Sequence, residues 1–291
     1  MIRLFASDLD GTLLNLMHQV DDTIRRAISE VVASGAHFAV ATGRTMRESG
    51  EFGLAGLGCE AVCANGSMVL DGNGELVRFE ALDPAFVEEL LRAFPVVPFE
   101  CVGREQSYVR GSEAALRAGF KTQGVVRSAV MSVVLKGMLR SESVRSERRF
   151  DQTDAEVLSH EVCKVNCRIP DAGLASELHA FLDERADSAV NAPFNPSMFE
   201  ITRTGVNKGE AVAWLAARHG IGEDEVAVYG DGGNDVDMLA RFAAYGHAYA
   251  PLGAGESAKR AASEVIGPCA LHAVSHHMVR TVRAQGQARR A

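Results

Sequence analysis

The chain has 291 residues, more than one average domain of roughly 100–200 residues, which leaves either one elaborated domain or two modest ones. Hydrophobic residues make up 47% and charged residues 23%, with 28 Gly and 8 Pro, a balance that excludes disordered, collagen-like and low-complexity chains. The net charge of −8 provides no broad cationic surface for nucleic acid or an anionic membrane, although an anionic small molecule needs only a local cation.

No apolar run approaches the roughly 18 residues that span a bilayer. The opening run Met1 to Asp8 lacks the apolar stretch and cleavage site of a signal peptide, so a cytoplasmic location is expected. The cysteines Cys59, Cys63, Cys101, Cys163, Cys167 and Cys269 include two CxxxC pairs but no CxxC, and are expected to be buried reduced thiols.

In chain order, Ile2–Ser7 is a short apolar run ending at an acidic, Gly-containing turn. The segment from Asp21 to Gly35 follows, with Ile24, Ala27, Ile28 and Val31 at helical spacing; Asp21 or Asp22 can cap it and Gly35 can end it. His37–Ala41 reads as a buried strand entering Thr42-Gly43-Arg44, and Glu60–Ala64 as another entering Asn65-Gly66, so strand, helix and strand imply a parallel βαβ sheet. Ser67–Leu70 and Glu75–Phe79 flank Asp71-Gly72-Asn73-Gly74, which has hairpin turn chemistry.

From Asp83 the texture changes. A helix is predicted over Pro84–Phe94 and short strands near Phe99–Val102 and Ser107–Arg110, followed by a charged stretch from Arg140 to Asp154. Met198–Arg203 then reads as a strand, Asn207–His219 as a helix with Gly220 after it, and Glu225–Tyr229 as a strand entering Gly230-Asp231-Gly232-Gly233-Asn234-Asp235. The expected architecture is α/β: a doubly wound parallel, Rossmann-like core from residues 1–82 and 189–291, interrupted by an inserted α/β domain over 83–188.

Ligands of open α/β sheets bind beyond the carboxyl ends of the strands, where four polar motifs gather here. They are Asp8-Leu9-Asp10-Gly11-Thr12, Thr42-Gly43-Arg44, Lys208, and the Gly230–Asp235 segment. Three or four carboxylates, a hydroxyl and a lysine converging on one point fit phosphoryl transfer assisted by a divalent cation. A carboxylate approaching a phosphate dianion is repelled, since two unit charges ~4 Å apart interact by ~4 kcal/mol at an effective dielectric of 20. Hard Mg²⁺ takes oxygen ligands, and Asp8, Asp231 and the Asp10 carbonyl can supply them. Asp8 can then attack phosphorus, while Asp10, two residues on, protonates the leaving oxygen and later activates water. Thr42 and backbone N–H groups such as that of Gly43 can hold phosphate oxygens, and Lys208 adds positive charge. Asn234 is placed with the phosphate-binding residues, and together with Asp235 it is expected to orient Lys208 and the metal waters; Arg44 is a supporting residue.

These residues in this order resemble the haloacid dehalogenase-like hydrolase superfamily, in its Cof-type phosphatase branch. DxDGT near the start, TGR after the second strand, Asn-Gly after the third, Lys-Gly opening a late helix and GDxxND after the next strand are specific together and weak singly. The resemblance implies that Asp8 is the nucleophile, Asp10 the acid and base, Thr42 and Lys208 phosphate contacts, and Asp231 a Mg²⁺ ligand. It also implies that the insertion is a cap that closes over the leaving group. The pattern departs after Asp235, at His247–Gly253 and around Leu271–Val274, away from the residues just named.

Each motif has a plainer reading. Asp8 and Asp10 are also turn formers, and Asn207 with Glu210 can form a capping box around Lys208, although a cation in a first helical turn opposes the helix dipole. His272, His276 and His277 read as a solvated helix face, Trp214 as a packing residue, and Arg280, Arg283, Arg289 and Arg290 as a basic helix end and tail. The expected function is a Mg²⁺-dependent phosphatase of small phosphorylated metabolites, with no nucleic-acid or membrane partner and no sequence feature that specifies an oligomeric state. A phosphomutase on the same core would isomerise its substrate without releasing phosphate, and a non-catalytic sugar-phosphate sensor would do neither.

Overall fold

A computed structural model describes residues 1–48, 50–121, 148–192 and 198–289. Residues 140–147 of the charged stretch and Arg290 of the basic tail lie outside the described residues. The chain forms two compact units, one from Met1–Phe79 with Gly205–Ala291 and one from Glu80–Thr204.

The first unit holds β1 (Leu4–Ser7), α1 (Asp22–Ala33), β2 (His37–Ala41), β3 (Glu60–Cys63), β4 (Met68–Leu70) and β5 (Leu76–Phe79). The second unit follows with α2 (Pro84–Ala93), β6 (Glu100–Gly103), β7 (Ser107–Val109), α3 (Glu113–Lys121), β8 (Arg148–Arg149), α4 (Asp154–Leu158), β9 (Val162–Cys167), α5 (Ala172–Asp183), β10 (Ala189–Asn191) and β11 (Phe199–Arg203). The chain then returns to the first unit with α6 (Lys208–Arg218), β12 (Val226–Tyr229), α7 (Val236–Ala243), β13 (Ala248–Pro251), α8 (Glu256–Ala261), β14 (Glu264–Ile266) and α9 (Ala273–Ala288).

The eight-stranded sheet of the first unit has the order β14-β13-β12-β1-β2-β3-β4-β5. It is parallel from β14 to β3 and antiparallel over the β4–β5 hairpin. Alternation along the strands separates two apolar faces. Leu4, Ala6, Val62, Val226, Val228 and Ala250 pack with Val212 and Leu215 of α6, Met238 and Phe242 of α7, and Ala258 of α8. On the opposite face α1 packs against α9, and Tyr229 donates to or accepts from His277 of α9 at 2.9 Å. The caps are chemical: Asp21 accepts from the Thr23 and Ile24 N–H groups, and Gly35, at φ +85°, carries the chain out of α1.

The second unit is a six-stranded sheet, β10-β11-β9-β6-β7-β8, antiparallel except for β7 and β8. Its core joins Phe86 and Leu90 of α2, Phe99, Cys101, Val165, Leu178 of α5, Phe199 and Ile201. The strand over 199–203, assigned from sequence to the parallel core, belongs here. Phe199 and Ile201 point into this core, while Glu200 pairs with Lys164 of β9. The sequence boundaries at 83 and 188 therefore move to Glu80 and Thr204.

Lys164 and Glu200 are both buried and joined by a direct ion pair. Lys164→Met sets a buried carboxylate beside a thioether, and a loss of about 3–5 kcal/mol is expected in urea unfolding. The double variant Lys164→Met/Glu200→Leu should recover most of it, and equal losses in the two variants would refute that account.

None of the six cysteines is in a disulfide; five of them are buried and Cys269 is half-buried. The three histidines near residue 272 do not form one solvated face. His272 pairs with Asp21 at 2.7 Å, His277 lies against Tyr229 and Tyr249, and only His276 is exposed. Trp214 is partly buried against the sheet core, with the Arg78 and Arg218 guanidiniums over its ring. Among the described residues no helix is long and apolar enough to cross a membrane.

Candidate active site

Register places the motifs side by side. Ser7, the last residue of β1, pairs with Val40 of β2 on one side and Tyr229 of β12 on the other, and the Asp8 N–H donates to the Tyr229 carbonyl at 2.9 Å. Asp8 thus emerges at the carboxyl edge between Thr42 and Asp231, at the position where strand order reverses around β1. Residues 9–13 form one wide turn closed by the Leu14 N–H to the Leu9 carbonyl at 2.9 Å. Gly11 sits in it at φ +83°, and a Cβ there would fall 2.3 Å from Asp231 Oδ2. Only glycine lets the turn lie this close to the acidic residue opposite.

Lys208 opens α6, whose N-cap Asn207 accepts from the Glu210 N–H at 2.9 Å. The reciprocal half of the expected capping box is absent, because the Glu210 carboxylate binds Arg241 instead. The Lys208 side chain is fully buried and donates to Asp8 Oδ1 and Asp235 Oδ1, each at 2.7 Å. Burial alone would push its ammonium down, but Asp235 and Asp8 outweigh that and hold it above the usual lysine range. Asp235 uses its other oxygen to accept from the Asp231 and Gly232 N–H groups at 3.0 and 2.9 Å. It is therefore a positioning residue for both Lys208 and the Asp231 loop. A Cβ at Gly230 would meet the Asp235 Cβ at 2.5 Å, which explains the glycine.

Three carboxylates, Asp8, Asp231 and Asp235, bring ligand atoms within 4.8 Å of one another against one ammonium. Burial drives the Asp8 carboxyl well above the ordinary range; Asp235 and Asp231 add to this and Lys208 opposes it. Burial likewise raises Asp231 to about 6, opposed by the Thr12 hydroxyl, which donates to its Oδ1 at 2.7 Å, and reinforced by Asp235. Asp8 Oδ2 is buried with no hydrogen-bond partner. An orphaned carboxylate oxygen in an all-oxygen, net-negative cluster fits a hard divalent cation such as Mg²⁺; a neutral ligand would leave that charge uncompensated, and a soft cation prefers sulfur donors.

The sign of the Asp231 shift yields a test. Its folded-state value of about 6 lies above the ordinary 3.8, so the metal-free fold gains from this group at low pH and loses that gain as pH rises through about 4 to 6. The loss above that window amounts to about 3 kcal/mol. Asp231→Asn in EDTA should exceed the wild type in stability at about pH 7.5, with the gap closing toward about pH 4 in urea melts. A variant no more stable than wild type at the higher pH would refute the buried-charge account.

The remaining predicted residues divide. The Thr42 hydroxyl oxygen accepts from the Arg44 N–H at 3.1 Å, which leaves its proton to donate, and Gly43 lies in the same turn. Arg44, expected as a supporting residue, forks onto both oxygens of Asp10, with Nε to Oδ2 at 2.6 Å; His18 Nδ1 lies 3.1 Å from Oδ1. Asn234 reaches Asn65 Oδ1 at 3.0 Å and not Lys208, so of the two expected orienting residues Asp235 alone touches the lysine. Asn65 is buried at φ +57°, and a Cβ on Gly66 would lie 2.3 Å from the Asn207 carbonyl. The Asn-Gly turn thus abuts the start of α6. Asn65 and Thr12 had no individual role among the expected site residues; in both, the signal in the sequence is a side-chain oxygen beside a glycine.

The family model for haloacid dehalogenase-like hydrolases matches residues 5–278. The chain belongs to this family. Among relatives of this hydrolase, an HMP-PP phosphatase of Cronobacter sakazakii is 28% identical over 285 residues, covering 96% of this chain and 95% of that one. A 5-amino-6-(5-phospho-D-ribitylamino)uracil phosphatase of Bacillus subtilis is 24% identical over 239 residues, 82% of this chain and 80% of its own. The fold of this hydrolase matches that of a haloacid dehalogenase-like hydrolase from B. subtilis with TM-score 0.80 at 24% identity, over 95% of this chain and 99% of that one. The subclass IIB sugar phosphatase BT4131 has the same fold, with TM-score 0.71 at 21% identity, over 96% and 98% of the two chains.

Proposed function

We propose that this hydrolase is a Mg²⁺-dependent phosphatase that acts on small phosphorylated metabolites, sugar phosphates or similar phosphomonoesters, through an aspartyl-phosphate on Asp8. The observation that carries the reading is the asymmetry of one carboxylate: Lys208 holds Asp8 Oδ1, while Oδ2 is buried and unpartnered. Asp8, Asp231 and the Asp10 carbonyl would hold the Mg²⁺, which when bound supplies the positive charge that offsets repulsion between a carboxylate and a phosphate dianion.

The chain's own groups do the rest. An Asp8 oxygen forms a bond to phosphorus as the ester P–O bond breaks, and Asp10 delivers a proton to the departing oxygen. Asp10 then takes a proton from the water that hydrolyses the acyl phosphate, which separates this reading from transfer to a second hydroxyl. Arg44 fixes the plane of the Asp10 carboxylate. The Thr42 proton and the Lys208 ammonium face charge that grows on the phosphoryl oxygens. The unit over Glu80–Thr204 is proposed as the specificity cap.

The names of the relatives supply the first panel: HMP-PP, 5-amino-6-(5-phospho-D-ribitylamino)uracil and sugar phosphates. Acid quenching during turnover should leave one phosphoryl group on the peptide containing Asp8. Mg²⁺-dependent phosphate release that never labels Asp8 would overturn the covalent route, and isomerised product without free phosphate would identify a mutase.

A further inference from the structure

A second cluster lies in the same unit, away from the carboxyl edge. His37 is the first residue of β2, Glu60 the first of β3, and His219 follows the last residue of α6. The register pairs Glu60 with Ala39, so β3 begins two residues after β2 and both starts lie toward the amino edge of the sheet. Thr42 lies five residues further along β2, about 16 Å at 3.3 Å per residue. The new cluster is thus separated from the phosphoryl site by the length of the strands.

His219 Nε2 is 2.7 Å from Glu60 Oε1, His37 Nδ1 is 3.3 Å from Glu60 Oε2, and the two imidazole centroids are 3.9 Å apart. Glu60 is only 5% exposed, yet its Oε2 has no hydrogen-bond partner, since the His37 contact lacks hydrogen-bond geometry. His219 thus satisfies one oxygen of the buried carboxylate, while the other faces His37 and is left without a hydrogen bond. All three ligand atoms lie within 4.8 Å of one another. Around a tetrahedral ion with bonds of about 2.0–2.2 Å, ligand atoms stand about 3.3–3.5 Å apart. The His37 spacing already matches; the His219 contact needs to open by about 0.6–0.8 Å, and the two rings, now 3.9 Å apart, must splay as their nitrogens turn to one ion.

We propose that His37, Glu60 and His219 form a site for a borderline divalent transition metal of the zinc type. Two imidazoles and one carboxylate select such an ion over Mg²⁺, which prefers oxygen ligands. The half-exposed imidazoles leave a fourth position to water. An ion there ties the C-terminal end of α6 to the starts of β2 and β3. Because α6 begins at Lys208, the site would steady the helix that carries the buried ammonium.

The test is Zn²⁺ titration of the tag-free full chain in excess Mg²⁺, read with a competing chromophoric chelator and by thermal melting. Wild type and Asp231→Asn should both take one tight equivalent and melt higher with Zn²⁺. His37→Gln and His219→Gln should bind it at least tenfold more weakly and show no rise in melting temperature. His37 is 38% exposed at a strand start, so its replacement keeps the fold available if Glu60→Gln does not. Equal Zn²⁺ uptake by wild type and both histidine variants overturns the proposal, as does uptake that disappears with Asp231→Asn.

Discussion

Asp8→Asn is expected to lower Mg²⁺-dependent hydrolysis of an aryl phosphate by a factor on the order of 10⁴–10⁶, the scale seen when a covalent nucleophile is removed. The amide keeps the shape of the carboxylate, and its oxygen can still accept from Lys208, whose ammonium also retains Asp235. The change removes one buried negative charge from a cluster that has three against one lysine, so the metal-free fold should be no less stable than the wild type. Near-normal turnover by a folded Asp8→Asn would refute the nucleophile assignment. Loss of turnover with loss of fold would refute the account of the site as an excess of buried negative charge.

Lys208→Met is expected to have the opposite effect on stability. Methionine fills much of the same volume but leaves Asp8 and Asp235 buried without their shared cation, a change that typically costs about 3–5 kcal/mol. Under the proposed mechanism, in which the ammonium serves charge that develops in the transition state, turnover should fall by at least about 10³-fold. The same variant makes the pocket more negative, so Mg²⁺ should raise its melting temperature by more than it raises that of the wild type. Differential scanning in EDTA and in Mg²⁺ measures both effects. A smaller Mg²⁺ response than wild type would show that Lys208 does not compete with the cation for the charge of these carboxylates.

The doubly wound half was readable because its rules are local. Apolar runs such as His37–Ala41 and Val226–Tyr229 end at polar turns, and parallel strands place those turns on one edge. The linear order of these motifs therefore already implies that they meet on one edge. The second unit was not readable in the same way. Strand β9 carries Lys164 and Asn166 among cysteines and valines, and its burial depends on Glu200, 36 residues away. The strand containing Glu200 was assigned to the wrong sheet for the same reason: alternation identifies a strand but not its neighbour. Pairings across strands were equally hidden within the site. Arg44 onto Asp10, Asn234 onto Asn65 and Thr12 onto Asp231 join residues 34 to 219 positions apart. No single sequence contains a local signal for such contacts.

The interrupted connectivity of the first unit has a consequence for synthesis. The unit over Glu80–Thr204 is continuous in the chain, whereas the sheet that holds Asp8 needs β12 from residues 226–229 beside β1. As the chain leaves the ribosome, the inserted unit can complete its own core while β1 still has an open edge and Asp8 has neither Lys208 nor Asp231 near it. Asp8, the proposed nucleophile, is among the first residues made and among the last to meet its partners. A released chain ending at Thr204 should already protect the backbone amides of β6, β9 and β11 from hydrogen exchange while those of β1 exchange freely, so the order of the elements along the chain would keep the proposed phosphoryl chemistry silent until β12 and Asp231 arrive.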